Sequence, residues 1–401
     1  MATELKPAFT SHPADPTPED MKARAREIAP LLRERAEQAR AERKVPLATI
    51  EDYHRTALIR ISQPRRFGGY EMGWDTLCEI SEILAAADGS QAWIQRIMAG
   101  HAQMVGTFPG EAQDDVWATN HKALVSASFD PVGRAKPVDG GFLFSGKHGF
   151  SSGIDHADWL ICGGYIIDGE TKDGPHFWLV PRADVTIIDD WHTVGLEGTG
   201  SKSFVIENAF VPAHRFLRGN ESDLGQGPGS KINLAPVYRT PRGGITTTGF
   251  AALAVGMARG VLSEWLAYTA PRKSRGISVA EQPGTQMVAA RASAEIDAAG
   301  ALYLDSIRYA MKVLQAGGTL TRTEKVTTRR NLAFACKLAL KAGTRLFNAG
   351  GGRALFAGQG LERQYRNLLG AVSHHGVGWE GHATAFSKDL FARAREEAGF
   401  S

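Results

Sequence analysis

The chain has 401 residues, of which 43% are hydrophobic and 22% charged, with a formal net charge of +3. That length exceeds what one hydrophobic core serves, so two or three domains are expected, and the small, dispersed charge gives no case for a nucleic-acid-binding surface. Cys78, Cys162 and Cys336 are too few and too far apart for a disulfide framework or a metal knot, and they fit a reducing cytoplasm. The opening residues lack the apolar centre of a signal peptide and no run of about eighteen apolar residues occurs, so neither export nor a membrane span is expected.

Residues 1–15 are polar and contain proline, which reads as a loose arm. Thr17-Pro-Glu-Asp20 supplies an N-cap residue, a first-turn proline and early carboxylates, so the pattern predicts a helix over residues 18–44, followed by another over 46–57. Phe67-Gly-Gly-Tyr70 is a turn before a helix over 74–84, and a longer helix over 91–105 gathers Trp93, Ile97, Met98, His101 and Met104 near one face. A histidine on such a face is either a satisfied core group or a catalyst, and the pattern alone leaves both open.

From about His121 the texture changes to β-branched and aromatic residues broken by turns such as Val138-Asp-Gly-Gly141. Short strands are expected at residues 142–145, 159–162, 176–180 and 185–188. Helical patterning returns near Gln226-Gly-Pro-Gly-Ser230, with long alanine-rich helices over 246–269, 286–315 and 323–347. Three domains follow: residues 1–118 helical, 119–225 a compact β-domain, and 226–401 a helical bundle. This order, α+β and mostly α, lacks the repeating βα units of a Rossmann or TIM architecture.

Glycine-rich turns at Gly198-Thr-Gly-Ser201 and Gly350-Gly-Gly-Arg353 lack the Gly-Lys-Ser/Thr and strand-turn-helix setting of a phosphate loop. His374, His375 and His382 have no carboxylate at matching helical spacing, so no metal site is expected. Two stretches carry more chemistry. Leu361-Glu-Arg-Gln-Tyr-Arg-Asn-Leu-Leu-Gly-Ala-Val-Ser-His-His375 joins a cationic helix to a histidine pair, and Phe144-Ser-Gly-Lys-His-Gly-Phe-Ser-Ser-Gly-Ile-Asp-His-Ala-Asp-Trp159 is rich in hydroxyls. The first suggests either a cofactor turn with an acid/base at its rim or simply a loop between two helices with two surface histidines, and the second a strand end that meets a ligand or simply a polar surface.

With Phe67-Gly-Gly and the Trp74 helix, and with Trp191-His-Thr-Val-Gly-Leu-Glu-Gly-Thr-Gly-Ser201, these stretches resemble the acyl-CoA dehydrogenase superfamily, from residue 18 to the end. The likeness is nearer to its flavin-dependent monooxygenase branch, the oxygenase components of two-component aromatic hydroxylases. The resemblance implies an acyl-CoA dehydrogenase fold: an N-terminal helical domain, a central β-barrel domain and a C-terminal four-helix bundle. In the dehydrogenases a glutamate removes the substrate proton in a run that falls here on Ser373-His-His-Gly-Val377, with His375 in the glutamate's place. A dehydrogenase using another base is the alternative. The usual aspartate after the arginine is Asn367, and the dehydrogenase tryptophan and threonine beside the flavin are Phe150 and Ser152.

The implied activity uses reduced FMN or FAD, bound non-covalently, and dioxygen, through a C4a-hydroperoxide, to hydroxylate an aromatic or heteroaromatic substrate. His101, His375 and Ser152 are the expected catalytic residues. Ser126, Ser128, Phe150, Ser152, Thr199 and Ser201 are expected to contact the flavin, with Arg272, Gly350 and Gly351 offered by a neighbouring subunit. Trp93, Phe129, His374 and the Val237-Tyr238 segment would line the substrate pocket, and Arg363 and Arg366 would serve as scaffold and flavin-side contacts. The implied partners are a separate NAD(P)H-flavin reductase and further copies of the chain, in a homo-oligomer expected to be a tetramer; nucleic acid and membrane are not expected. The expected location is cytoplasmic.

Overall fold

The structure is a computed structural model that describes residues 15–399. The arm expected over residues 1–15 lies, but for Asp15, outside the described residues. Thr17 caps α1 (Pro18–Glu34) through a capping box with Asp20. The single helix expected over 18–44 is two, because the chain bends at Arg35 (φ −87°, ψ 0°) before α2 (Ala36–Glu42). The bend sets the Arg35 guanidinium against α3 (Leu47–Arg55), 2.7 Å from Asp52 Oδ2. A tertiary ion pair of this kind leaves no trace in helical periodicity.

Two further helices, α4 (Trp74–Ala85) and α5 (Gly89–Val105), are central, and α6 (Gly110–Trp117) follows them. Asp88 caps α5 by accepting from Gln91 N at 2.9 Å. Its sequence reads as one-sided, yet every residue of α5 is buried, because helices cover one side of it and the β-domain the other. Gly100 lets Trp74 lie on the helix backbone; a Cβ there would stand 3.0 Å from the indole ring.

The strands are β1 (Val125–Val138), β2 (Gly141–Ser151), β3 (Trp159–Asp168), β4 (Thr171–Pro181), β5 (Thr186–Ile188), β6 (Lys202–Pro212) and β7 (Phe216–Leu217). They form one seven-stranded sheet in the order β5-β6-β2-β1-β3-β4-β7. Only β1 and β3 run parallel among its pairs, and their register shifts between Ser128 and Gly133. Phe144, Leu160, Cys162, Trp178, Val180, Phe204 and Ile206 fill its core.

After α7 (Gly219–Leu224) and α8 (Arg242–Ile245) comes the helical bundle: α9 (Thr248–Thr269), α10 (Pro283–Gln315), α11 (Arg322–Ala349), α12 (Gly360–Val372) and α13 (Trp379–Glu397), with a small hairpin of β8 (Lys273–Ser274) and β9 (Ile277–Ser278). α9 is long and apolar enough to span a bilayer, but it is the core helix of the bundle and packs on α4, α10, α11 and α12. Gly256 brings α9 onto α4, where a Cβ would stand 2.3 Å from Glu82 O. One continuous apolar core joins α1, α4 and α5 to α9–α12, so the helices before and after the sheet bury their faces against each other. Cys78, Cys162 and Cys336 are free and buried.

Candidate active site

The candidate site lies where α5, the ends of β1 and β2, the start of β6, the start of α9 and the turn after α12 meet. Three contacts set this junction. His101 Nδ1 is 2.9 Å from Val125 O, Trp93 Nε1 is 3.1 Å from Ser152 Oγ, and Leu196 N donates to Asn367 Oδ1 at 2.8 Å. Gly153 (φ +71°) sits against Met98 and Ile94 of α5, and a Cβ there would be 2.5 Å from Met98 Cε. Asn367, in the place of the usual aspartate, thus serves as an uncharged anchor for the loop before β6.

The hydroxyls form a network whose direction can be worked out. Thr199 Oγ1 donates to Leu196 O (2.8 Å), a carbonyl that can only accept. Its single proton being spent, Thr199 accepts from Ser201 Oγ (2.7 Å), and Ser201 accepts from Ser152 Oγ (2.7 Å). Trp93 Nε1, a donor only, completes the chain at Ser152. Ser152 therefore has no proton left to give and one lone pair unfilled. Ser126 and Ser128 both turn inward, since they lie two residues apart on one strand face. Ser126 Oγ bonds Ser152 O at 2.8 Å and Ser151 Oγ at 2.7 Å, and Ser128 Oγ bonds Gly149 O at 2.8 Å. These two hydroxyls tie β1 to β2 beyond the end of their backbone ladder.

The buried His101 ring and the half-buried His374 ring are complementary. His101 Nδ1 faces a carbonyl and so carries the proton, which leaves Nε2 as a lone pair; burial pushes its pKa down to about 4 and keeps the ring neutral. His374 Nδ1 accepts from Gly376 N at 3.0 Å, which puts the proton of the neutral ring on Nε2. Burial, then the neighbouring His375 and Arg96, push its pKa down to about 3. One ring thus offers an acceptor and the other a donor. His374 stacks on Phe250 (centroids 3.9 Å, 28°), and Phe250 packs on Trp93 at 5.0 Å. Phe129 meets the His101 ring edge-on at 5.5 Å. His375 is exposed and lies on the outer face of His374, centroids 4.5 Å apart.

The other expected residues fall into two groups. Phe150 stands at the end of β2 in the left-handed region (φ +56°), 73% exposed, with Trp191 edge-on at 6.0 Å. Arg366 is held by Glu362 Oε2 (2.6 Å) and Glu197 Oε1 (3.0 Å) and clamps the loop before β6; Arg363 lies 3.8 Å from Glu37. Arg272 lies 3.5 Å from Gly350 O, to which Tyr268 Oη donates at 3.0 Å. Neither Arg272 nor the turn at Gly350 and Gly351 hydrogen-bonds to the hydroxyl network of the same chain. Val237 and Tyr238 are buried; Gln103 donates to Val237 O at 3.0 Å and the Tyr238 hydroxyl reaches Ser62 O at 3.1 Å. Sequence reasoning passed over Phe250, Thr247 and Arg96. Arg96 carried a signal, as the one lysine, arginine or carboxylate in the helix Gly89–Val105.

The acyl-CoA dehydrogenase C-terminal domain family matches residues 248–379. The oxygenase subunit HsaA of a flavin-dependent monooxygenase from Rhodococcus jostii is 34% identical over 86% of this chain and 92% of its own length. The oxygenase component of an FADH2-dependent resorcinol hydroxylase from a Rhizobium species is 30% identical over 90% of the chain and 92% of its length. The chain belongs to the flavin-dependent monooxygenases. The crystal structure of the 3-HSA hydroxylase from Rhodococcus sp. RHA1 superposes with a TM-score of 0.89 at 31% identity, covering 93% of this chain and 97% of that one. The monooxygenase thus has the acyl-CoA dehydrogenase fold, and the dehydrogenase reading is set aside.

The residues present fit a flavin. A flat ring with a polar edge needs an apolar cover and a polar partner. The exposed Phe150 side chain supplies the first and the unfilled lone pair of Ser152 the second.

Proposed function

We propose that this monooxygenase hydroxylates a small aromatic or heteroaromatic substrate, using reduced FMN or FAD delivered by a separate NAD(P)H-flavin reductase. Reduced flavin supplies, when bound, the electrons that activate dioxygen. Ser152, with a lone pair and no free proton, accepts from an N–H on the flavin edge, and Phe150 covers the ring. Ser201 and Thr199 hold Ser152 in that polarity, while Ser126 and Ser128 fix the strand that carries it. Trp93, Phe250 and Phe129 form the walls for the substrate ring.

His101 Nε2 accepts the proton of a substrate hydroxyl, which enriches the aromatic carbons in electron density. His374 Nε2 donates a hydrogen bond into the site, and the exposed His375 ring stacks on His374 at its rim. Arg272, Gly350 and Gly351 reach the flavin of a neighbouring copy, in a homo-oligomer read as a tetramer. The relatives support this reading: HsaA is named a flavin-dependent monooxygenase, and another is named a resorcinol hydroxylase. A cytoplasmic location suits the three free thiols.

The observation that carries the reading is the pair of neutral histidines, an acceptor at His101 edge-on to Phe129 and a donor at His374 stacked on Phe250. The test mixes the purified protein with photoreduced flavin, a phenol and isotopically labelled dioxygen. One labelled oxygen in the product is expected. Bound flavin that an acyl-CoA bleaches, with no label incorporated, overturns the reading.

A further inference from the structure

Arg96 is a buried cation without a counter-ion. Its side chain stands on α5 one turn from Trp93, 5% of the residue is exposed, and burial pushes its pKa down to about 10. Among the described residues no carboxylate pairs with it; the one acidic group acting on it is the Cys78 thiol, which burial holds neutral. Its protein contacts are few. Nη2 donates to Thr246 O, the guanidinium lies 4.2 Å from the Phe250 ring centroid and 5.3 Å from that of Trp74, and the buried Nε has no partner. Isolating a charge in this way costs several kcal/mol, as an order of magnitude, unless something pairs with it.

The setting adds to the deficit. The guanidinium rests on the first turn of α9, where a Cβ on Gly249 would stand 2.2 Å from Nε and 3.1 Å from Cζ. That turn is the positive end of a 22-residue helix, and its N-cap residue Thr247 makes no side-chain capping bond. Thr247 Oγ1 is itself buried without a partner. A cation against an uncapped helix N-terminus is a repulsive arrangement that an anion would convert into an attractive one. The same guanidinium is close enough to act on both His101 and His374, so this concentration of positive charge borders the candidate site.

We propose that Arg96, with the first turn of α9 and the Thr247 hydroxyl, anchors an anionic oxygen of the substrate, a carboxylate or a phenolate. The assignment of the ligand to the substrate rests on the monooxygenase reading; the anion site itself does not. An aromatic ring bearing that oxygen would then be fixed at one end by charge and offered at the other to His101 and His374.

The test is equilibrium binding to flavin-free protein, read by tryptophan fluorescence, with matched pairs: 4-hydroxybenzoate against 4-hydroxybenzamide, and 4-nitrophenol, in mildly alkaline buffer where it is the phenolate, against 4-nitroanisole. The wild type is expected to favour the charged member of at least one pair by about tenfold. Which pair responds tells a carboxylate from a phenolate. Arg96→Gln should abolish the preference while leaving the neutral ligand's affinity within about twofold, and Arg96→Lys should keep part of it. A third arm compares acetate with acetamide at fixed ionic strength by thermal unfolding. Stabilisation of the wild type but not of Arg96→Gln, with no aromatic bound, upholds the anion site and sinks its assignment to an aromatic substrate. Should Arg96→Gln fail to fold, Arg96→Lys carries the comparison. No charge preference in any arm, or one that survives both substitutions, overturns the proposal.

Discussion

The indole N–H of Trp93 points at Ser152 Oγ across 3.1 Å, so α5 supplies a donor to the hydroxyl just beyond β2, whose own proton goes on to Ser201. The consequence runs on through Ser201 and Thr199 to Leu196 O, and every hydroxyl proton in the chain is committed. Ser201→Ala removes the acceptor of the Ser152 proton without touching the Trp93 contact. Ser152 then becomes a donor as well as an acceptor. The ratio of oxidised-flavin Kd to reduced-flavin Kd should fall by roughly tenfold, the worth of one hydrogen bond of about 1.4 kcal/mol. Anaerobic and aerobic flavin titrations of the two proteins measure it, and an unchanged ratio removes the polarity argument.

His148 gives a stability prediction. Its ring is buried between Phe204 (5.0 Å, 10°) and Phe144 (6.0 Å, 17°), neither nitrogen has a partner, and burial pushes its pKa from 6.5 down to about 4. The folded-state pKa lies below the unfolded one, so on acidification the unfolded chain takes up the proton first. Stability is therefore full above about pH 6.5 and is lost as pH falls towards about 4, by up to roughly 3 kcal/mol for this residue. His148→Phe keeps the stack and removes both unsatisfied nitrogens. Urea unfolding at pH 7 should show a variant as stable as the parent or more so, and at pH 5 one that has lost less than the parent.

The types and order of the elements were legible in the sequence because they depend on local signals: the Thr17-to-Asp20 cap, the β-branched middle block, the alanine-rich helices at the end. What escaped was set by contacts distant in sequence. The break at Arg35 goes with an ion pair to Asp52, and the hydroxyls of Ser126 and Ser128 are spent on Ser151, Ser152 and Gly149, more than twenty residues away. His374 and His375 are adjacent, so no periodicity tells them apart. The turn that lets Gly376 N cap His374 puts that ring on Phe250 and leaves its neighbour exposed. The family resemblance supplied the histidine position; the division of labour between the two rings comes from backbone geometry.

That division predicts a pH profile. The acceptor role proposed for His101 needs its unprotonated Nε2, and burial pushes its pKa down to about 4. Initial rates taken after a brief pH jump should show no loss between pH 7 and 6 attributable to this residue, and a fall as the pH approaches about 4. His101→Ala should lower turnover by roughly 10²- to 10⁴-fold while leaving reduced-flavin affinity within a few-fold, since general base catalysis typically contributes that much. A variant with near-normal turnover would assign the base elsewhere.

Gly249→Ala separates two effects of opposite sign at the start of α9. Alanine is the better helix former by up to about 1 kcal/mol, which by itself should stabilise the protein. Its Cβ would stand 2.2 Å from Arg96 Nε, however, and a crowded core typically loses about 1–3 kcal/mol. The clash should win, giving a net loss of about 1 kcal/mol in chemical denaturation. In an Arg96→Ala background the side chain ends well before the crowded position, so the same change should become neutral or stabilising. The two backgrounds close a double-mutant cycle whose coupling energy should be about 1–3 kcal/mol. A coupling near zero would mean that the guanidinium does not rest on the first turn of α9, and the anion site argued from that contact would fall with it.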